Sequence, residues 1–331
     1  MNNKPSMKSI IITIIILVLV ISGVTIWQIR TSDDTLRVGY MRIASHAPLI
    51  SAIENNIFEK FNLKIKAEYY PTTADLIHAL EQNKIDVAFQ VTPDIAWQSA
   101  ARTGNNYYIY FVAQSTKEKP MDGLYALTPQ LSKESLLHKT IGHFPGPTAE
   151  AMVREILEKK YNLNRNEYQL QDVKPNLQLD FLKNKNIEAL FTYEPIGTCA
   201  VKTIGAHKVI QAPVEEFIIN PWNGGIGIFS EDLVKYRKSV AVNFQKAIKE
   251  SFENLDKNID IYAKTLVELQ PGLTTDIAKE IPNIPLIFST DKEKTESVRD
   301  AVDKQLSKYI NLKILNKNNS YNIPIFEPYE K

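Results

Sequence analysis

One cysteine, Cys199, occurs in 331 residues, so no intramolecular disulfide can form and no CxxC pair exists for redox or zinc chemistry. Cys199 lies in the apolar, predicted helical run "PIGTCAVKTI", which suits a buried structural thiol better than a nucleophile. There is no GxSxG elbow, no P-loop, no GxGxxG and no HExxH. The "GGIG" at 224–227 is too short and wrongly placed for a dinucleotide loop. His46, His78, His138, His143 and His207 form no i, i+4 pair on a predicted helix, so the zinc signal is weak, and His78 falls off its helix's apolar stripe toward solvent. Charge of one sign is also missing: 39 basic residues face 38 acidic ones, interspersed, which excludes the basic face of a nucleic-acid-binding protein.

What is present begins at the N-terminus. From Ser9 to Ile29 the sequence "SIIITIIILVLVISGVTIWQI" carries no charge and is about the ~20 residues that cross a bilayer. Lys4 and Lys8 precede it, an arrangement that keeps the N-terminus inside and the rest of the chain outside; Trp27 suits the outer interface. A cleaved signal peptide is the rival reading. The run is longer than the ~7–15 residue core of such a peptide, and Ser22-Gly23-Val24-Thr25 is a poor cleavage site. No cysteine follows to carry a lipid. A retained membrane anchor over residues 1–35 is therefore the expectation, with the folded part outside the cytoplasm.

After Thr35, short apolar runs alternate with helical stripes. Strands are predicted at Leu36–Tyr40, Leu63–Tyr70, Ile85–Phe89 and Tyr107–Ala113, with helices between them; Thr92-Pro93 opens one helix as N-cap and first-turn proline. The pattern then restarts with strands at Thr140–Phe144, Tyr168–Val173 and Ile187–Thr192. Such alternation predicts parallel βαβ units. "NKIDVAFQVTP" and "NKNIEALFTYEP" can be overlaid, each with an Ile-acid pair opening the strand and a polar residue before the proline that opens the helix. Two lobes of similar construction follow from this. Gly224, Gly225 and Gly227 are expected to permit unusual backbone angles where the chain crosses between lobes. Residues 231–309 are mostly amphipathic helix.

Several strand ends lead into helix starts rich in Ser, Thr or Gly: Ser45, Thr72-Thr73, Thr92 and Gly146-Pro147-Thr148. In an open parallel sheet these starts gather at the carboxyl edge, where ligands bind and free N–H groups face them. Ordinary capping explains any one of these; the set together points to a ligand. His46 then sits at a ligand-facing helix start, with no visible partner that would make it a base.

The stretches "LRVGYMRIASHAPLISAIENNIFEKFNLKIKAEYYPTTADLIHALEQNKIDVAF", "LLHKTIGHFPGPTAEAMVREIL" and "IEALFTYEPIG" resemble the solute-binding proteins of ABC importers, in the nitrate/sulfonate/taurine group with its thiamine-pyrimidine-precursor relatives. The resemblance implies an α/β, two-lobed periplasmic-binding-protein fold of type II, here preceded by a transmembrane helix. It places residues 36–120 and 225–331 in the first lobe and 121–224 in the second. It implies a cleft lined by Arg42, Ser45, His46, Thr72, Thr73, Gln90, Thr92, Gln114, Gly146, Thr148, Tyr193 and Glu194, with Asn220 and Trp222 at the return crossover. It also implies a monomer that needs no cofactor, is not an enzyme, and delivers a small polar solute to permease and ATPase subunits. Two other readings stay open: an enzyme on the same scaffold using His46 with Glu194, and a membrane-fixed sensing ectodomain. Arg42 and Glu194 on opposite lobes would suit a ligand with one acidic and one amino-bearing end.

Overall fold

The computed structural model describes residues 35–104, 106–270 and 272–329. The expected membrane anchor lies outside the described residues. Among those described, no helix is long and apolar enough to cross a membrane.

Two sheets form the framework. Strands β1 (Thr35–Tyr40), β2 (Lys64–Tyr69), β3 (Val87–Val91), β4 (Tyr107–Ser115), β10 (Trp222–Ser230) and β11 (Leu286–Phe288) make a six-stranded sheet in the order β11-β4-β10-β3-β1-β2. Strands β5 (Asp122–Ala126), β6 (Thr140–His143), β7 (Gln169–Asp172), β8 (Ala189–Tyr193) and β9 (His207–Ile210) make a five-stranded sheet in the order β7-β6-β8-β5-β9. The chain leaves the first sheet after β4 and re-enters it at β10, so the second lobe is an insertion between these two antiparallel neighbours. β10 begins at Trp222, ahead of the boundary expected at Gly225. β5, β9, β10 and β11 carry no clear alternation in the sequence, and their places come from pairing across the sheets.

The parallel cores of the lobes repeat one another. β1 pairs with β2 and β3, and β6 pairs with β7 and β8, all parallel. β3 and β8 are the strands of the two overlaid stretches. The strands start two residues later than predicted, at Val87 and Ala189, because Ile85 and Ile187 are spent on packing, each 2% exposed. Each isoleucine closes over a glycine of the neighbouring strand: a Cβ on Gly39 would come 2.7 Å from Ile85 Cδ1, and one on Gly142 would come 2.5 Å from Ile187 Cδ1.

The glycines of β10 correct an expectation. Gly224, Gly225 and Gly227 have no left-handed φ. They are small because neighbours fill the space of a side chain: Met121 over Gly224, Gln90 over Gly225 and Phe111 over Gly227. The main core lies beneath this strand, where the Tyr110 and Phe229 rings stack at 4.0 Å between centroids.

The lobes touch. Cys199, half-buried on the Ile196–Ile204 helix of the second lobe, packs against the first-lobe cluster containing Ala44, Ala47 and Tyr262, and burial raises its pKa. Lys202 Nζ on the same helix lies 2.6 Å from Glu280 Oε1 of the first lobe.

Candidate functional site

The carboxyl ends of β1, β3, β6 and β8 meet where the lobes face each other. After β1 the chain makes a 3-10 turn, Ala44–His46, that buries Ser45 and His46. The backbone N–H of Met41 donates to His46 Nδ1 at 3.0 Å, so the ring proton sits on Nε2. That Nε2–H has no partner although His46 is fully buried, its ring edge-on to Phe89. Burial pushes the pKa down to about 3. His46 is therefore a neutral donor with its lone pair already used, which removes the base of the enzyme reading.

β3 ends in Gln90, Val91 and Thr92, and the Pro93–Thr103 helix follows with Asp94 in its first turn. Thr92 occupies the N-cap position but makes no side-chain cap bond. Its N–H reaches Thr73 Oγ1 at 3.5 Å. Gln90 Oε1, Thr92 Oγ1 and Asp94 Oδ1 are all buried without a hydrogen-bond partner. From the other lobe, Gly146 (φ +127°) turns the chain into the Pro147–Tyr161 helix, and Thr148 brings a further unpartnered hydroxyl. Burial raises the Asp94 pKa, while the facing hydroxyls of Thr148 and Thr92 and nearby backbone N–H groups pull it down. Buried polar atoms are normally paired. Five such atoms gather at adjoining strand ends from both lobes; those of Thr92, Asp94 and Thr148 are turned toward one another without closing a hydrogen bond, which leaves capacity for something else to bind.

Aromatic side chains and a carboxyl pair form the floor. Tyr193, at the end of β8, packs against Phe144, Phe191 and, across the lobes, Trp222 at 5.8 Å. Trp222 Nε1–H donates to the Tyr309 hydroxyl at 3.1 Å, which also accepts from Gln305. Burial, with Asp122, Tyr309, Asp94 and Glu215 around it, raises the Tyr193 pKa well above the usual phenol value. Asp122 and Glu215 are themselves buried side by side; Asp122 Oδ2 accepts from Val214 N–H at 3.1 Å. Burial and the neighbouring Glu215 push Asp122 well up, and burial raises Glu215.

The other predicted residues lie elsewhere or are occupied. Arg42 is exposed, its guanidinium stacked on Tyr69 at 4.6 Å. Thr72 caps the Thr73–Glu81 helix through Asp75. Gln114 Nε2 reaches Asn223 Oδ1 at 3.4 Å in the crossover, and Asn220 is exposed. Glu194 Oε2 accepts Thr198 N–H at 2.9 Å, capping its own helix, and Oε1 accepts from the Tyr125 hydroxyl at 3.4 Å. No hydrogen bond or ion pair joins Arg42 to Glu194, and each is engaged by its own neighbours. Among the described residues no cluster of three or more metal-ligating side chains forms.

Asp94, Asp122, Glu215 and Tyr309 escaped the sequence reading. An aspartate in a helix's first turn is the ordinary partner of the helix dipole, and nothing local reveals that it will be buried. "MDGLYA" and "APVEEF" each supply one carboxylate to a pair formed 92 residues apart at its backbone contact.

The fold is shared with solved solute-binding proteins. The alkanesulfonate-binding protein SsuA from Xanthomonas axonopodis pv. citri superposes with a TM-score of 0.69 at 15% identity, over 86% of this chain and 95% of that one. The nitrate-binding protein NrtA from Synechocystis PCC 6803 gives 0.64 at 15% identity, over 86% and 83%. The ligand-binding component of an ABC-type import system from Staphylococcus aureus gives 0.65 at 14%, over 88% and 96%. No curated protein matches the chain in sequence. At these identities the likeness establishes the two-sheet α/β fold of periplasmic binding proteins. A family model, by contrast, matches residues 30–224, more than half of the chain, and on that ground the protein belongs to the NMT1-like family.

Proposed function

We propose that this protein is the extracytoplasmic solute-binding component of an ABC-type importer: it captures a small polar molecule between its lobes and presents it to permease and ATPase subunits. The observation that carries the reading is the set of buried, unpartnered polar atoms on His46, Gln90, Thr92, Asp94 and Thr148, contributed by both lobes. The lobes are joined through β4 and β10, a connection that can hinge while the sheets stay rigid. The sulfonate- and nitrate-binding proteins that share the fold support the importer role. The occupied lone pair of His46 and the engaged carboxylate of Glu194 argue against an enzyme. The uncharged run from Ser9 to Ile29 supports a chain held at the outer face of the membrane by its N-terminal segment.

Native mass spectrometry of the full chain, released gently from detergent, tests this. A small molecule that leaves on denaturation chemically unchanged is the expected result. A molecule converted on incubation with the protein would establish an enzyme instead, and a start near residues 25–32 in the intact mass would remove the anchor.

A further inference from the structure

The structure assigns a charge class to the solute: we infer that it is held through a cationic or N–H-rich group, an ammonium, amidinium or amino-substituted ring, by the Asp94 carboxylate with the Gln90 carbonyl oxygen beside it. This rests on the binding-protein reading and specifies which ligands that cleft accepts.

The argument begins with which charges are buried. Among the described residues, the buried charged side chains other than histidines are Asp86, Asp94, Asp122, Glu194 and Glu215; no lysine or arginine belongs with them. Asp86 is satisfied by Arg37 at 2.6 Å, and Glu194 by its helix and Tyr125. Asp94 is different. It is 1% exposed, has no cationic partner, and leaves Oδ1 without a hydrogen bond. A buried carboxylate is costly unless donors reach it; the Thr148 and Thr92 hydroxyls and the Ile95 N–H supply part of what Asp94 needs, and a ligand that brings N–H groups or positive charge supplies the rest.

The second observation is independent of charge. Gln90 Oε1 is an acceptor, 3% exposed and also unpaired. Gln90 is fixed, because its side chain fills the place a Cβ would take on Gly225. Two orphaned acceptors thus stand at the end of β3 and the start of the helix that follows, with Thr92 between them. The hydroxyls of Thr92 and Thr148 can turn either way and adapt to the bound group. His46 Nε2–H, on the neighbouring parallel strand's junction, is a donor held in place, and it suits an acceptor atom elsewhere on the solute.

A sulfonate or nitrate in this position would set its charge against Asp94, with the Asp122–Glu215 pair behind Tyr193 adding to the same sign. Helix N-termini alone do not offset that, because Asp94 already occupies the first turn of one of the two helices aimed at the gap. The fold that serves sulfonate and nitrate in SsuA and NrtA therefore carries opposite chemistry here.

The test uses the full chain in detergent and a small-molecule cell extract split on cation-exchange and anion-exchange resins. The expected result is a rise in melting temperature with the cation-exchange fraction only, and none with methanesulfonate or nitrate as pure probes. Asp94→Asn, nearly the same size, should melt no lower than the parent without ligand yet need roughly a hundredfold more of the active fraction. Stabilisation by the anion-exchange fraction, methanesulfonate or nitrate overturns the charge assignment and leaves the binding-protein reading standing. Stabilisation by neither fraction overturns both. Equal responses of Asp94→Asn and parent remove Asp94 as the reader.

Discussion

Asp94 of the first lobe and Thr148 of the second face each other across the gap between lobes, each in the first turn of its own helix. The contact joins elements 54 positions apart in sequence and exists only while the lobes are together. Everything that holds the lobes in contact therefore acts on the environment of Asp94.

The Lys202–Glu280 ion pair is one such element, but its side chains are 39% and 52% exposed. Exposed pairs contribute about 0.2–1 kcal/mol, less in salt. Lys202→Gln should weaken solute binding by less than about fivefold at low ionic strength, and the difference should vanish near ~1 M salt, where screening acts over ~3 Å. Titration calorimetry at both salt concentrations reads this directly; a loss persisting in high salt would show that Lys202 does more than pair with Glu280.

His46 sets an acid limit. Its native pKa is depressed to about 3, against an ordinary value of 6.5 in the unfolded chain. Above pH 6.5 neither state binds the proton and the group has no effect. Between 6.5 and about 3 the unfolded chain takes up a proton that the native state refuses, so stability falls as pH falls, by roughly 5 kcal/mol at the bottom of the window. His46→Asn can still accept from Met41 N–H and should show a flatter decline from pH 6.5 to 4 in thermal melts. A parallel decline would mean that other groups set the limit.

The Asp122–Glu215 pair works in the other direction. Both native pKa values are raised, so above the ordinary carboxylate value of ~4 the native state holds a proton that the unfolded chain has lost. Stability then falls as pH rises through the window above ~4. Lys208, the Ser115 hydroxyl and Val214 N–H face the pair and lessen the effect without reversing it. Asp122→Asn, which keeps the shape and does not titrate, should gain on the parent in melting temperature as pH goes from 5 to 8. A constant difference across that range would mean that this pair does not set the pH dependence.

Gly225 offers a mutation that reaches the site indirectly. An added Cβ would collide with the Gln90 side chain along Cγ, Cδ and Nε2. Gly225→Ala should cost about 1–3 kcal/mol of stability by overpacking and should also lower solute affinity. Combining it with Gln90→Ala should restore most of the stability and none of the affinity. Full additivity of the two changes in a double-mutant cycle would separate Gly225 from Gln90.

Much of the framework was legible because it is local. The alternation around "NKIDVAFQVTP" and "NKNIEALFTYEP" marked β3 and β8 as equivalent, and their parallel neighbours repeat accordingly. The polar junctions His46, Thr92 and Thr148 were legible for the same reason, as strand ends running into helix starts, while Gln90 came only from the family resemblance. Arg42 and Glu194 stood at equally suggestive positions, but Tyr69 and Thr198 lie within reach and engage them first. Asp94 and the Asp122–Glu215 pair could not be found this way, since their burial is created by distant elements meeting. The glycines of β10 misled for a related reason: composition shows that a side chain is missing, and only packing shows what fills the space.

The described residues begin in the first lobe at Thr35 and finish against it too, since Ile325 bridges to Ile109 and Phe326 N–H donates to the Ile109 carbonyl. Both ends of the described chain are thus fastened to one lobe, and the other is a loop-out with no terminus of its own. A tether ahead of Thr35, as proposed above, would transmit its load to the first lobe alone. With the first lobe so held, hinging would swing the second lobe as a flap, carrying Thr148 and Tyr193 toward or away from Asp94.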